Sequence, residues 1–282
     1  MPDSIQTWLR KAAEQLSNVS ETPDLDSEIL LCFCLNKDRT FLRAWPEKSI
    51  NTEQSNLFQT LISKRFNGMP IAYLTGEREF WSRSFKVSPN VLIPRPDTEL
   101  LIELGLFFLS GKQNFKVIDL GTGSGILAIT LAAERPSSNF IAVDNSSCAL
   151  NIAQENADQH GAKNIQFSIS NWFDEIFDDD FDLVISNPPY IASHDPHLTQ
   201  GDLRYEPRSA LVSHENGLKD IRLIAEQSTR HLKRNGRLLI EHGYNQKNEV
   251  QTIFKALNYL KVCTYNDLSG LPRVTSGTWN PQ

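Results

Sequence analysis

The stretch Val117-Ile118-Asp119-Leu120-Gly121-Thr122-Gly123-Ser124-Gly125 decides the fold of this chain, because it joins an apolar run to a glycine-rich turn. Residues 117–120 predict a buried strand, and residues 126–133 after the turn predict a helix. A strand that passes through a glycine turn into a helix is typical of folds that bind a nucleotide or a nucleoside at the turn. These residues therefore predict the centre of an α/β domain with a ligand beside it.

From residue 116 onward, strand-like apolar runs alternate with helical segments. This alternation predicts a doubly wound, Rossmann-like and mostly parallel sheet, in which ligands lie beyond the carboxyl ends of the strands. The predicted strands are residues 117–120, 140–144, 165–167, 181–186 and 236–241. The predicted helices between them are residues 126–133, 148–159 and 221–232.

The spacing of the glycines narrows the choice of ligand. A dinucleotide fingerprint requires a glycine three residues after Gly123, and that position is Ile126. The G-x-G-x-G spacing favours S-adenosylmethionine, while a nucleotide phosphate site and plain packing stay open as alternatives. Asp144 strengthens this interpretation, since it ends the second strand 23 positions after Gly121, where a carboxylate can bind both ribose hydroxyls. The other reading of Asp144 is a solvent-facing residue at a strand end.

A second motif, Asn187-Pro188-Pro189-Tyr190, follows the strand at residues 181–186. The Asn187 carboxamide oxygen and the Pro188 carbonyl can each accept one N–H of a planar NH₂ group. Two acceptors orient a delocalised nitrogen and stabilise the positive charge that develops on it. The prolines stiffen the loop, and Tyr190 offers an apolar wall. The motif therefore predicts methyl transfer to a planar amine or amide nitrogen, although a plain proline turn is the other reading.

The rest of the chain predicts two further parts. Residues 1–75 show helical periodicity and predict a small helical bundle, whose role is partner docking or simple packing. Residues 76–94 predict a β-hairpin linker, and residues 95–282 the catalytic domain.

Composition argues against several other classes of protein. The 282 residues carry a net charge of −6, which disfavours binding to nucleic acid through phosphate contacts. The four cysteines lack zinc-ligand spacing and form no disulfide framework, and the histidines predict no metal site. Because no apolar stretch approaches the length of a membrane span, we expect a cytoplasmic protein that does not bind membranes.

Motifs along nearly the whole chain resemble one family. The resemblance rests on Phe80-Trp81, Phe85-x-Val87, Leu92-Ile93-Pro94-Arg95-Pro96-Asp97-Thr98-Glu99, Asp119 to Gly125, Ala142-Val143-Asp144, Ser186 to Ile191, Glu206-Pro207 with Ala210-Leu211, and Glu241-His242-Gly243. The chain resembles the release-factor glutamine methyltransferase family (PrmC, also called HemK). The resemblance implies a class I methyltransferase sheet and S-adenosyl-L-methionine as cofactor. It also implies methylation of the glutamine side-chain amide in the Gly-Gly-Gln motif of peptide-chain release factors, with the helical domain docking them.

The resemblance also implies a role for individual residues. Gly121, Thr122, Gly123, Ser124 and Gly125 would hold the methionine part of the cofactor, Asp144 its ribose and Trp172 its adenine. Asn187, Pro188, Pro189 and Tyr190 would grip the substrate glutamine, with Asn187 also at the cofactor.

Three other residues are less clearly assigned. Asn171 departs from the Asp expected before Trp172, so we expect an altered cofactor affinity. Phe85 is a candidate wall of the substrate channel, although packing is the more common role of an aromatic residue in a hairpin. Arg95 is expected to brace a domain junction rather than touch substrate.

Two other functions stay open at this level. An adenine amino-group methyltransferase acting on DNA or RNA would use the same Asn-Pro-Pro-Tyr chemistry on a flipped base. The acidic balance and the segment at residues 92–99 disfavour it. A cofactor-binding protein without activity is disfavoured by the intact motif.

Overall fold

The computed structural model describes residues 3–111, 114–177 and 179–281. The chain forms two compact units. The first contains the residues up to Glu77 together with Pro196–Tyr205, and the second contains Arg78–Asp195 and the chain from Glu206 onward. These limits differ from the boundaries expected at residues 75 and 95.

The first unit is helical. Its helices are α1 (Ile5–Leu16), α2 (Pro23–Leu35), α3 (Arg39–Ala44), α4 (Thr52–Phe66) and α5 (Ile71–Thr75). Local caps set where these helices begin: the Ser4 side chain accepts from the Thr7 N–H at α1. At α4, Asn51 and Gln54 form a reciprocal capping box. The apolar faces of these helices bury one common core, which includes Leu16, Leu30, Leu31, Phe58 and Ile62.

A segment distant in sequence completes this first unit. Pro196–Tyr205, here called the return segment, forms two short 3₁₀ helices and belongs to the helical unit. Arg65 of α4 donates to Asp26 Oδ2 over 2.7 Å and to Asp202 Oδ1 over 3.3 Å. Tyr205 and Arg204 both donate to the Asn67 carbonyl. The helical unit is therefore discontinuous in sequence.

The second unit alternates strands and helices, and its chain begins with a hairpin. Its strands are β1 (Glu77–Phe80), β2 (Arg83–Lys86), β3 (Lys116–Leu120), β4 (Asn139–Asp144), β5 (Ile165–Ile169), β6 (Phe181–Ser186), β7 (Ile191–Ala192), β8 (Val212–Ser213), β9 (Leu232–Glu241), β10 (Leu260–Asn266) and β11 (Pro272–Thr278). Its helices are α6 (Glu99–Phe108), α7 (Ile126–Glu134), α8 (Ser147–His160), α9 (Arg208–Leu211), α10 (His214–Gly217), α11 (Lys219–His231) and α12 (Lys247–Ala256).

Seven strands form one sheet in the order β10-β11-β9-β6-β3-β4-β5. Neighbouring strands from β9 to β5 pair in parallel, and β11 pairs antiparallel with both its neighbours. The predicted doubly wound, mostly parallel sheet is confirmed. An apolar core covers each face: α6, α7 and α8 contribute to one, and α11 and α12 contribute to the other. Because β3 lies between β4 and β6, the strand order reverses at β3, which is where such sheets bind ligands.

The hairpin of β1 and β2 packs on the core of the second unit and does not form a separate linker. Phe80 and Phe85 join the sheet core and contact each other edge to face, with ring centroids 6.2 Å apart. The buried side chain of Asn156 accepts from the Lys86 N–H over 2.7 Å and donates to the Ser124 carbonyl over 2.8 Å. One asparagine on α8 therefore ties the hairpin to the glycine turn. Burial of two aromatic rings explains why the second unit already begins at Arg78.

Within the described ranges, no helix combines the length and the apolar character needed to cross a bilayer.

Candidate active site

A cavity of about 940 Å³, its open mouth included, lies at the carboxyl ends of β3, β4 and β6. Each of these strands delivers one predicted site element to it: the glycine turn, Asp144 and Asn187. Parts of the wall are completed by Trp172, Thr98, Pro207, Ser209 and Ala210. The structure thus brings together the two motifs that the sequence places 62 or more positions apart.

The glycine turn has a conformation that L side chains rarely adopt. Gly121, Gly123 and Gly125 have φ values of 73°, 56° and 85°. The N–H groups of Gly121 and Thr122 both donate to the Val143 carbonyl over 2.9 Å, which fixes the turn to β4. A Cβ at Gly121 would lie 3.1 Å from the Trp172 ring, whereas a Cβ at Gly123 would meet no described atom within 4 Å. The turn therefore leaves bare backbone at the cavity.

Asp119, near the end of β3, holds this turn in place through hydrogen bonds to its carboxylate. Its Oδ2 accepts from the Thr122 hydroxyl over 2.7 Å and from the Ala128 N–H over 3.3 Å. Burial raises the pKa of Asp119 to about 7, although these two hydrogen bonds lower it. No role was predicted for Asp119 from the sequence. The signal available was a carboxylate in an otherwise apolar strand directly before the glycines.

Asp144 lies at the cavity, and each of its carboxylate oxygens accepts one hydrogen bond from the backbone. Oδ2 accepts from the Gly123 N–H and Oδ1 from the Ser146 N–H, each over 2.9 Å. A carboxylate offers about four acceptor sites, so capacity for a ligand remains. Burial raises the pKa of Asp144, and the backbone hydrogen bonds from Ser146 and Gly123 lower it. This placement suits an acceptor for ribose hydroxyls, which stays a prediction.

Trp172 lines the cavity against the glycine turn. Its backbone is left-handed, with φ 53°, and its carbonyl accepts from the Ser170 hydroxyl over 2.9 Å. The neighbouring Asn171 donates from Nδ2 to Asp174 Oδ2 over 2.9 Å, which leaves the Asn171 oxygen as an acceptor. Both residues line the cavity, and their contact with the adenine stays a prediction.

The Asn-Pro-Pro-Tyr motif is only partly at the cavity. Asn187 and Pro189 line it, whereas Pro188 and Tyr190 are not among the lining residues. Asn187 donates from Nδ2 to the Thr98 hydroxyl over 3.2 Å. Its Oδ1 is buried and has no hydrogen-bond partner among the residues that the structure describes. A buried acceptor without a partner is rare in proteins, and here it lies where a substrate N–H is expected.

Tyr190 supports the motif from outside the cavity. Its hydroxyl donates to Glu241 Oε1 over 3.4 Å, and its carbonyl accepts from Gln246 Nε2 over 3.0 Å. Burial first, and the Glu241 carboxylate next, raise the pKa of Tyr190 far above its ordinary value. A Cβ at Gly217 would lie 2.0 Å from the Tyr190 carbonyl oxygen, so this backbone needs a glycine beside it. Tyr190 therefore braces the motif; it is not among the residues that line the cavity, and the apolar wall expected from the sequence stays a prediction.

Phe85 does not line the cavity, contrary to the channel role considered for it. Its side chain is fully buried, and its ring centroid lies 4.8 Å from that of His160. Packing, the more common role, accounts for Phe85. Arg95 does line the cavity and forms an ion pair with the fully buried Glu206, whose Oε2 also accepts from the Ile93 N–H over 3.0 Å. Arg95 therefore orders a wall of the cavity within the second unit.

Thr98 lines the cavity, and its hydroxyl accepts from Asn187 Nδ2. No role in the site was predicted for it, because its place in the sequence is typical of a helix cap. Among the described residues, no group of three or more His, Cys, Asp or Glu side chains could hold a metal ion.

Comparison with known proteins places the chain in a family. Residues 111–278 match the methyltransferase domain, and residues 7–76 match the PrmC N-terminal domain. The release factor glutamine methyltransferase of Escherichia coli is 45% identical over 274 residues, with 97% of this chain and 98% of that protein covered. The protein of the same name from Aliivibrio fischeri is 41% identical over 278 residues, with 98% of each chain covered. A methyltransferase structure from Pyrococcus furiosus shares the fold, with a TM-score of 0.53, 14% identity and coverage of 79% of this chain and 98% of that one.

The fold and the site define an S-adenosylmethionine-dependent methyltransferase of class I. The residues present fit that cofactor, since the bare glycine turn, the Asp144 carboxylate and the Trp172 ring meet at one cavity. Within that class, the chain belongs to the release factor glutamine methyltransferase family.

Proposed function

We propose that this chain transfers the methyl group of S-adenosyl-L-methionine to the side-chain amide nitrogen of the glutamine in the Gly-Gly-Gln motif of peptide-chain release factors. The observation that carries this proposal is the unpaired, buried Oδ1 of Asn187 at the cavity that contains the glycine turn and Asp144. The names of the full-length relatives support the substrate.

The chemistry required of the chain is orientation and electrostatics. An amide nitrogen is a poor nucleophile because its lone pair is delocalised into the carbonyl group. Asn187 Oδ1 and the Pro188 carbonyl each accept one N–H, which orients the lone pair and stabilises positive charge on nitrogen. Bound S-adenosylmethionine supplies an electrophilic methyl group on a sulfonium. The amide proton becomes acidic only after methylation, so no strong base is needed at the cavity.

The cofactor-binding residues follow from the same cavity. The backbone of Gly121–Gly125 would hold the methionine part, Asp144 the ribose hydroxyls and Trp172 the adenine ring. Asn171 would accept from the adenine amino group through its oxygen, because Asp174 already takes its amide nitrogen.

The helical unit would dock the release factor, whose substrate loop is presented by a folded protein. The location that fits this substrate is the cytoplasm. With a net charge of −6, the chain is not expected to bind DNA.

A methyl-transfer assay tests this proposal. The purified protein is incubated with radiolabelled S-adenosylmethionine and one of three acceptors: release factor, the same factor with its Gly-Gly-Gln glutamine changed to alanine, or duplex DNA. We expect label on the unmodified release factor alone. Label on DNA but not on release factor would instead establish the adenine methyltransferase.

The variant Asn187→Ala tests the residue on which the proposal depends. It removes a contact to the reacting group, so we expect kcat to fall by at least about a hundredfold with cofactor affinity nearly unchanged. Asn151→Ala, on the exposed side of α8, is the matched control and should keep wild-type kcat. An Asn187→Ala enzyme with normal kcat would remove the motif from the mechanism.

A further inference from the structure

The two prolines of the Asn-Pro-Pro-Tyr motif limit how this segment can be held in place. Pro188 and Pro189 have no N–H group, and each ring fixes φ at about −65°. The middle of the segment is therefore stiff and carries no backbone donor that could secure it. The direction of the Pro188 carbonyl, which is expected to accept a substrate N–H, depends on how the two ends of the segment are fixed.

The first end is fixed to the strand that carries the glycine turn. Ser186, the last residue of β6, donates from its hydroxyl to the Leu120 carbonyl of β3 over 2.7 Å. Asn187 Nδ2 donates to the Thr98 hydroxyl over 3.2 Å. These contacts set the start of the segment relative to the predicted cofactor site.

The other end, Tyr190, is held by the side chain of Gln246, which is buried. Gln246 Nε2 donates to the Tyr190 carbonyl over 3.0 Å and to the Asn216 carbonyl over 3.1 Å. Gln246 Oε1 accepts from the Gly243 N–H over 2.8 Å. A backbone N–H only donates and a carbonyl only accepts, so a single orientation of this amide satisfies all three partners.

The turn that contains Asn216 is unusual in conformation. Glu215, Asn216 and Gly217 have consecutive φ values of 54°, 56° and 86°. Left-handed residues other than glycine are uncommon, and they persist where the surrounding contacts hold them. The Gln246 hydrogen bond to Asn216 is such a contact. Since a Cβ at Gly217 would lie 2.0 Å from the Tyr190 carbonyl oxygen, the turn leaves this carbonyl little room to move.

We propose that Gln246 is a positioning residue that fixes the carboxyl end of the segment from Asn187 to Tyr190, and with it the direction of the Pro188 carbonyl. Gln246 is not among the residues that line the cavity, so it acts through the Tyr190 carbonyl. The inference rests on the proposed function, because it takes this segment as the one that grips the substrate NH₂ group.

The variant Gln246→Met keeps the length of the side chain and loses all three hydrogen bonds. A misplacement on the order of 1 Å can cost a hundredfold in rate, so we expect kcat with release factor to fall about ten- to a hundredfold. The Kd for S-adenosylmethionine, measured by calorimetry, should change less than about twofold. Gln251→Met is the matched control and should keep wild-type kcat, because Gln251 on α12 donates to the Thr264 hydroxyl, away from the motif.

The variant Gln246→Glu tests the donated hydrogen bonds through pH. An ionised carboxylate can still accept from the Gly243 N–H but has no donor for the two carbonyls, whereas the protonated form regains one O–H. Burial beside carbonyl oxygens raises the pKa of such a carboxyl from about 4.3 toward the assay range. The ratio of its kcat to that of the wild type should rise at least about threefold from pH 9 to pH 6.

Two controls accompany this pH profile. Taking the ratio to the wild type at each pH cancels the titration of groups common to both enzymes, which include the neighbouring Glu241 and His242. The matched variant Gln251→Glu places a carboxyl on α12 away from the motif, so its ratio should not depend on pH.

The kcat of Gln246→Met decides the inference first. A wild-type kcat, or an affinity for S-adenosylmethionine that falls as much as kcat, overturns the positioning role and leaves a packing role. If Gln246→Met does not fold, Gln246→Glu decides, and a ratio independent of pH overturns the inference. If the wild type labels DNA alone, the proposed function is refuted, and the same comparisons made with DNA decide the inference. Label on neither acceptor would refute both.

Discussion

Asp144 shows how a single residue can serve the fold and the ligand together. Its two oxygens accept from the N–H groups of Gly123 and Ser146, which fixes the glycine turn to the start of α8. The remaining acceptor capacity faces the cavity. A residue that looked like a ligand contact from its spacing therefore also organises the loop around it.

Replacing Asp144 by alanine should weaken cofactor binding. Two ribose hydroxyls would lose their acceptor, and the loss of partners for buried polar groups costs about 1–3 kcal/mol. Calorimetric titration with S-adenosylmethionine measures this change. Asp158→Ala, exposed on α8, is the control and should bind with wild-type affinity. Equal affinities for the Asp144 and Asp158 variants would refute the ribose assignment.

The elements that could be predicted from the sequence are those whose formation depends on interactions between residues close together in the chain. The parallel strands are short apolar runs, and the glycine turn carries its own conformational requirement, so both could be placed before the structure. β11 was missed because it reads Pro-Arg-Val-Thr-Ser-Gly-Thr, and its Thr275 and Ser276 are buried only because β9 and β10 flank it. The contact between Thr98 and Asn187 was missed for a similar reason: the two residues are 89 positions apart, and only the fold brings them together.

The junction of the glycine turn with α7 leads to a prediction about stability. A Cβ at Gly125 would lie 2.6 Å from Ile129 Cδ1 and 3.2 Å from Ala153 Cβ, in a backbone with φ 85°. Gly161, at the end of α8, also has a left-handed φ of 66°, but a Cβ there would meet no atom of the described chain within 4 Å.

Gly125→Ala should therefore cost more stability than Gly161→Ala. In both variants the left-handed alanine lowers the free energy of unfolding by about 1–2 kcal/mol. In Gly125→Ala, overpacking lowers it further, by about 1–3 kcal/mol. Urea unfolding followed by circular dichroism gives both free energies. If the two variants unfold at the same urea concentration, the contact between α7 and α8 is looser than described.

For the whole molecule, buried carboxyl groups make stability depend on pH. Burial raises the pKa of Asp119 from its ordinary value of 3.8 to about 7, and that of Glu241 in the same direction. Between pH 4 and 7 the unfolded chain has lost these protons while the folded chain still holds them. The folded state therefore binds more protons there, and both groups make stability fall as the pH rises through this window.

Asp119→Asn isolates one of these contributions. The variant keeps an oxygen for the Thr122 hydroxyl and cannot ionise. Its free energy of unfolding should decrease less between pH 4 and pH 7 than that of the wild type, whatever its absolute stability. Urea unfolding at several pH values measures the two slopes. Parallel slopes would mean that Asp119 titrates at its ordinary value in the folded protein.

The return segment has a consequence for how the molecule is made. Arg65 and Asp202 are 137 positions apart, yet both belong to the helical unit. A ribosome adds about 5–20 residues per second, so on the order of ten seconds pass between the synthesis of α4 and that of the return segment. During that interval the Asp202 carboxylate is missing beside Arg65, and Asn67 lacks both of its donors from the return segment. The part of the chain synthesised first is therefore among the last to be completed.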